Sequence, residues 1–347
     1  MRLEKQGGMV RNDLYPLKFA SIYKKTLWGG NRLGTLFGKD VPPGGCVGEA
    51  WEVADHGDDN SIVINGIYKD MRLRQLMDDA KVNDLLGRGC NTTGGNRFPL
   101  LVKLIDTSER LSLQVHPGDS YVMANEPPGE SGKMEAWYII HADPGAWIIR
   151  GLRPGITREN LERSLKDDSL EDCLNFLSVS PGDVIFIPPG TLHAIGPGIV
   201  LLEVQQNSDI TYRLCDWGRD RELNVQKALE VINFAPPAEH RQDKTQPVLL
   251  SPPPKKRELL LECEKFMLES LELADEECGM DDMPVFHILT VIEGSGTIVY
   301  GESGRLDVSA GESVLVPAAL KRYKLCPHGR CRIIKTAPAV VVQEVIS

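Results

Sequence analysis

The feature that most limits how this 347-residue chain can fold is a repeat of itself. Shifted by 129 positions, residues 179–193, VSPGDVIFIPPGTLH, lie over residues 308–322, VSAGESVLVPAALKR. Gly182 falls on Gly311, Pro188 on Pro317 and His193 on Arg322. Residues 137–151, WYIIHADPGAWIIRG, likewise match 286–301, FHILTVIEGSGTIVYG, as strand, Gly turn, strand. Two copies of one strand-rich unit predict a duplicated β fold. The apolar run 184–187 suits a strand covered on both faces, and Pro188-Pro189-Gly190 stops it and reverses the chain. His193 then falls on the next strand, facing an interior. The second copy keeps the turn residues without the histidine, which marks it as the structural half.

The expected fold is mainly β, with two cupin-type jelly-roll barrels and a few covering helices. Residues 1–234 are expected to form the catalytic domain, 235–257 a Pro-rich charged linker, and 258–347 a degenerate second domain. Within the first domain, residues 14–33 read as a short strand and a turn marked by Trp28-Gly29-Gly30. GEAWEVAD alternates as a half-buried strand, with Glu49 and Trp51 on one side and Glu52 on the other. Residues 71–86 and 157–177 have helical spacing, with Asp70 as N-cap of the first and Thr157 near the start of the second. Residues 223–234 predict one more amphipathic helix. Residues 136–140 and 146–149 predict paired strands around Asp143-Pro144-Gly145.

Composition removes several function classes. A net charge of −10 argues against a nucleic-acid surface, although a small cationic pocket for a phosphorylated ligand stays compatible with it. No apolar run approaches the roughly 20 residues that span a bilayer, and residues 1–10 lack a signal-peptide core, so a cytoplasmic protein is expected. The 8 cysteines contain no CxxC pair and predict reduced thiols, Cys326 and Cys331 included.

The chemistry is expected around three residues. In residues 112–117, alternation puts Ser112, Gln114 and His116 on one strand face and Leu113 and Val115 on the other. A Pro/Gly-rich loop leads from there to Glu135. His116, Glu135 and His193, with Gln114 as a further member, match the neutral imidazole and oxygen ligands that zinc accepts while leaving a position open. Iron or manganese would accept the same set. Each histidine alone is more often a hydrogen-bonded core residue; the three together point to a metal. His56, His141, His240, His287 and His328 have no comparable setting.

LSLQVHPGD, GKMEAWYII, PPGTLHAI and LLEVQQNSDITYRLCDWGR, in that order, resemble the short bacterial form of type I mannose-6-phosphate isomerases, of the cupin superfamily. GEAWEVADH, WGG and IEGSG extend the resemblance over nearly the whole chain, and QQNSDITYR is its most specific part. The resemblance implies a zinc-dependent interconversion of mannose 6-phosphate and fructose 6-phosphate, with His116, Glu135 and His193 as metal ligands and Gln114 as a weaker fourth. It implies one zinc per chain and a sugar phosphate as the partner, with no nucleic acid or membrane. Arg213 matches an active-site arginine, and Ser112 and Lys133 match positions near the phosphate or the proton path. Isomerisation moves a proton between C2 and C1 through an enediol, which needs a base and a positive group for the oxyanion. Lys133, Glu203 and Asp209 are candidates for the base on position alone. Two rivals from other classes are a non-catalytic sugar-phosphate-binding cupin and an iron-dependent cupin oxygenase.

Overall fold

A computed structural model describes residues 14–43, 46–78, 82–87, 90, 96–235, 245–252, 255–281 and 283–339. The chain is mainly β, with four principal sheets of five, six, seven and four strands. They stack in that order, because alternate residues of each strand enter different cores. On Leu100–Thr107, Ile105 faces the five-stranded sheet, while Leu100, Val102 and Leu104 face the seven-stranded one. Trp137, Ile139, Ile148, Ile195 and Leu201 fill the space between the five- and six-stranded sheets. Leu289, Val291, Ile298 and Leu325 fill that between the seven- and four-stranded sheets. The outer face of the five-stranded sheet is covered by Arg158–Ser164 and Val225–Val231, through Leu161, Ala228 and Leu229.

The central core joins the two halves that the repeat defines. Phe98 and Phe286 are fully buried with ring centroids 4.7 Å apart, and burial of such side chains stabilises by about 1.5–3 kcal/mol each. Leu17–Lys18, at the front of the chain, pairs with Ser313–Val316 as an edge of the seven-stranded sheet.

Several expectations change. Each half is a pair of facing open sheets instead of a closed barrel, because the chain crosses between sheets at corners that carry no ladder. Glu135–Ala142 and Trp147–Leu152, expected as a hairpin, are such a case: they lie in different sheets on either side of the Asp143-Pro144-Gly145 corner. Trp28-Gly29-Gly30 ends the strand Ile22–Gly30 rather than forming a turn. A Cβ on Gly29 would stand 2.5 Å from Gly48 N, so the pair of glycines serves close backbone approach. The expected helix at 71–86 is two short ones, Leu73–Asp78 and Val82–Leu86, and Asp70 is a left-handed turn residue with φ 70°. The one at 157–177 ends at Ser164, with Thr157 in a capping box, and Leu174–Ser178 is an edge strand. In the stretch expected as a linker, Val248–Ser251 and Lys255–Glu262 pair as strands, whereas residues 236–244, with His240, lie outside the described residues. The described cysteines are free, with Cys331 buried and Cys326 half-buried.

Candidate active site

Side-chain alternation assembles the site between the five- and six-stranded sheets. On Leu113–Val115, Leu113 and Val115 enter the core under the helices, so Ser112, Gln114 and His116 turn toward the facing sheet. Glu135 opens the strand Glu135–Ala142, opposite Ile187 and Gln205. His193 opens His193–Ile195, opposite Gln114 and Arg150. The turn before it needs Gly190, whose φ is 80° and whose N–H donates to the His116 carbonyl at 2.9 Å. The turn that delivers one histidine is thereby tied to the backbone of the other.

His116 Nε2 is 3.4 Å from Glu135 Oε2, and His193 Nε2 is 3.3 Å from Oε1. His116 Nδ1 donates to the Ile210 carbonyl at 2.8 Å and His193 Nδ1 to that of Thr191 at 2.9 Å. A ring nitrogen facing a carbonyl carries the proton, so both neutral rings present an Nε2 lone pair to the carboxylate. Both rings stay neutral. Burial, then the charge of Lys133, push His116 well below its ordinary range, and burial pushes His193 down to about 4.

Glu135 is fully buried and neither of its oxygens accepts a hydrogen bond. Lys133 Nζ lies 3.0 Å from its Oε2 and 3.1 Å from His116 Nε2. That ammonium serves Oε2 alone; Oε1 faces the His193 lone pair with no donor between them, an arrangement that calls for a second cation. Ligand atoms about 2.1 Å from a tetrahedral zinc stand about 3.4 Å apart, the separation of each histidine from Glu135 here. All three ligand atoms lie within 4.8 Å of one another, and no other such group occurs among the described residues. Gln114 Nε2 is 3.3 Å from His193 Nε2, while its Oε1 accepts from Ser112 Oγ at 3.2 Å. Turning that amide over would offer an oxygen to the same centre.

A cavity of about 270 Å³ opens onto Gln114 and Lys133 and is also lined by Ser112, Asp209, Arg213 and Arg221. Ser112, Gln114, Lys133, Glu203, Asp209 and Arg213 thus share one cavity, and Gln114 and Lys133 link it to the buried His116, Glu135 and His193. The sequence reading missed Lys103, which also lines the cavity and lies between Glu49 at 3.4 Å and Glu203 at 3.3 Å. Burial would lower its pKa, but Glu49, Glu203 and Asp209 outweigh it and hold the ammonium above its ordinary value. A lysine interrupting the apolar run FPLLVKLI was the available signal. Trp137 Nε1 donates to Glu203 at 3.0 Å. Arg213 is half-buried and its Nε has no partner; burial, then Arg221, lower its pKa.

The second half carries the same positions with different chemistry. Glu135 lies opposite Ile187, and the residue opposite the matching Val316 is His287. His193 pairs with Arg150 as Tyr323 pairs with Tyr300, so Tyr323, not Arg322, takes the place of His193. The one-residue shift comes from the 3₁₀ turn Ala318–Leu320. The cross-strand pair Lys103–Glu203 becomes Glu269–Lys335, at 2.5 Å, with Arg257 2.6 Å from Glu269. Two cations and one carboxylate replace the carboxylate-rich setting of the first half, and His287 Nδ1 is occupied by Tyr323 Oη at 3.1 Å. That charge pattern repels a metal ion.

Residues 16–131 match the family described as phosphomannose isomerase type I, catalytic domain, and residues 256–338 match mannose-6-phosphate isomerase, cupin domain. The chain is 36% identical to mannose-6-phosphate isomerase ManA of Bacillus subtilis over 91% of its length and 97% of that protein. It is 33% identical to a mannose-6-phosphate isomerase of Streptococcus mutans over 89% of this chain and 94% of that one. A crystal structure of the mannose 6-phosphate isomerase from Bacillus subtilis superposes with a TM-score of 0.82 at 32% identity, covering 92% of this chain and 99% of that chain. A phosphomannose isomerase from Salmonella typhimurium, 18% identical, shares the fold with a TM-score of 0.76, covering 93% and 99%. With its buried His-Glu-His cluster, its paired β sheets and likeness along nearly its whole length, the chain belongs to the type I mannose-6-phosphate isomerase family.

Proposed function

We propose that the chain is a zinc-dependent isomerase that interconverts mannose 6-phosphate and fructose 6-phosphate through an enediol. The observation that carries the metal reading is the buried carboxylate of Glu135, which accepts no hydrogen bond and faces an imidazole lone pair on each oxygen. His116, Glu135 and His193 would hold the ion, with Gln114 as a fourth ligand. Bound zinc supplies a Lewis acid that polarises sugar oxygens. The remaining work falls to the protein's own groups. Arg213, always charged and lining the cavity, stabilises the oxyanion that develops as C2 loses its proton. Ser112 and Lys133 orient the sugar phosphate. Lys133, Glu203 and Asp209 all line or border the cavity and are the groups within which the proton-transfer base falls. Trp137 and Lys103 fix the Glu203 carboxylate, while Asp209 is exposed at the mouth.

The fold is that of two cupin units, of which residues 1–234 carry the chemistry. The test is a coupled assay for fructose 6-phosphate on metal-replete, chelated and His193→Ala protein. Turnover lost in both of the last two supports the reading, and turnover surviving both refutes the metal's role. Binding of mannose 6-phosphate without turnover in metal-replete protein would replace the isomerase with a sugar-phosphate sensor.

A further inference from the structure

We propose that Asp119 and Lys265 form a positioning pair through which the second half of the chain holds the metal site in shape. The inference rests on the metal reading of His116, Glu135 and His193. Asp119 stands three residues after His116, at the start of the helix Asp119–Asn125. Its Oδ1 accepts the Gly132 N–H at 2.8 Å and Gln206 Nε2 at 3.1 Å. Its Oδ2 accepts Lys265 Nζ at 2.6 Å. Lys265 sits in the turn between Lys255–Glu262 and Phe266–Ala274 of the seven-stranded sheet, and its carbonyl accepts the N–H of Ala339 at 2.9 Å. One carboxylate therefore ties its own segment to three others.

Two of those segments deliver metal-ligating residues. The 116–119 turn carries His116, and the 132–135 segment carries Lys133 and Glu135. Backbone bonds reinforce the clamp: Lys133 N–H donates to the Pro117 carbonyl at 3.0 Å. Gln206 completes it, taking the Met134 N–H on Oε1 at 3.0 Å and donating its own N–H to the Met134 carbonyl at 3.1 Å. The approach is so close that a Cβ on Gly132 would lie 2.5 Å from Asp119 N. Partial burial opposes ionisation of Asp119, but the Lys265, Gly132 and Gln206 donors outweigh it and hold the carboxyl below its ordinary value. The half without a His-Glu-His cluster among its described residues thus supplies a charge to the half that has one. Asp119 touches neither ligand side chain; it sets the separation of the segments that carry them.

The test uses the cobalt-loaded full-length protein, read by its visible absorption and by cobalt affinity. Asp119→Asn keeps an oxygen for Gly132 and loses the charge that Lys265 meets, and Lys265→Met removes the partner at the surface. The pair is partly exposed and acts through backbone rather than on the ligands themselves, so each variant is expected to bind cobalt about twofold to fivefold more weakly with an altered spectrum. The double variant should be no weaker than either single one, and Lys265→Arg should restore both readouts. Wild-type affinity and spectrum in Lys265→Met, or additive losses in the double variant, would overturn the pairing. If the unaltered protein binds no cobalt, both the metal reading and this inference fail. If it binds cobalt and Lys265→Met behaves as wild type, only the inference fails.

Discussion

Glu135 has no exposed surface, and the groups around it explain which single residues matter most. Its carboxylate and the two imidazoles were legible from the sequence as residue types: alternation turned His116 inward, the Pro-Gly turn put His193 on the next strand, and the loop before Glu135 let it face them from another strand. Lys103 and Glu203 were harder to place, since each is one charge inside an apolar strand and its meaning depends on the neighbouring strand. Replacing Arg213 by Met removes a charge from the cavity that the proposed mechanism uses on the oxyanion, and should lower kcat about a hundredfold or more. Arg213→Lys should recover little, because a point charge does not reproduce the guanidinium fork. Steady-state kinetics checks both. His287, by contrast, has no catalytic part. Burial, then Lys335 and Arg257, push its pKa from 6.5 down to about 3. Below about 6.5 the unfolded chain takes up a proton that the folded ring refuses until about 3. Stability from this group is therefore full above 6.5 and is lost as pH falls through that window. Urea unfolding at pH 7 and pH 4.5 should show a smaller acid loss in His287→Gln than in the unaltered protein.

At the scale of elements, the repeat predicted strand and turn positions well where a turn requires glycine. Gly182 and Gly311 both adopt positive φ, 94° and 85°, at matching places in the two halves. It misplaced the histidine's counterpart by one residue, because one extra residue in the Ala318–Leu320 turn is invisible to an ungapped alignment. Strand partners were the larger error. A Pro-Gly turn between two apolar runs looks the same whether it closes a hairpin or carries the chain to the facing sheet, and only tertiary packing of Trp137 and Ile148 in one core decides. Close strand approach predicts a specific cost. Gly29→Ala would put a methyl 2.5 Å from Gly48 N, against backbone that cannot yield, and should lower stability by about 1–3 kcal/mol in denaturant unfolding.

The molecule as a whole has one large core shared by both halves, through Leu17, Phe98, Phe286 and Leu315 among others. A division at residues 235–257 is visible in composition, yet Leu17 pairs with Leu315 and the central core runs across it. Calorimetry should therefore show a single cooperative unfolding transition, and residues 1–234 alone should fail to fold. The charge-inverted cluster Arg257–Glu269–Lys335 leaves one metal per chain as the whole-molecule expectation. The most direct measurement combines metal content with turnover of mannose 6-phosphate in the same preparation. The buried His116, Glu135 and His193 site predicts one zinc per chain, fructose 6-phosphate production that disappears on chelation and returns with zinc, and a loss of at least about a hundredfold in His193→Ala. Undiminished isomerisation by protein that contains no metal would contradict it.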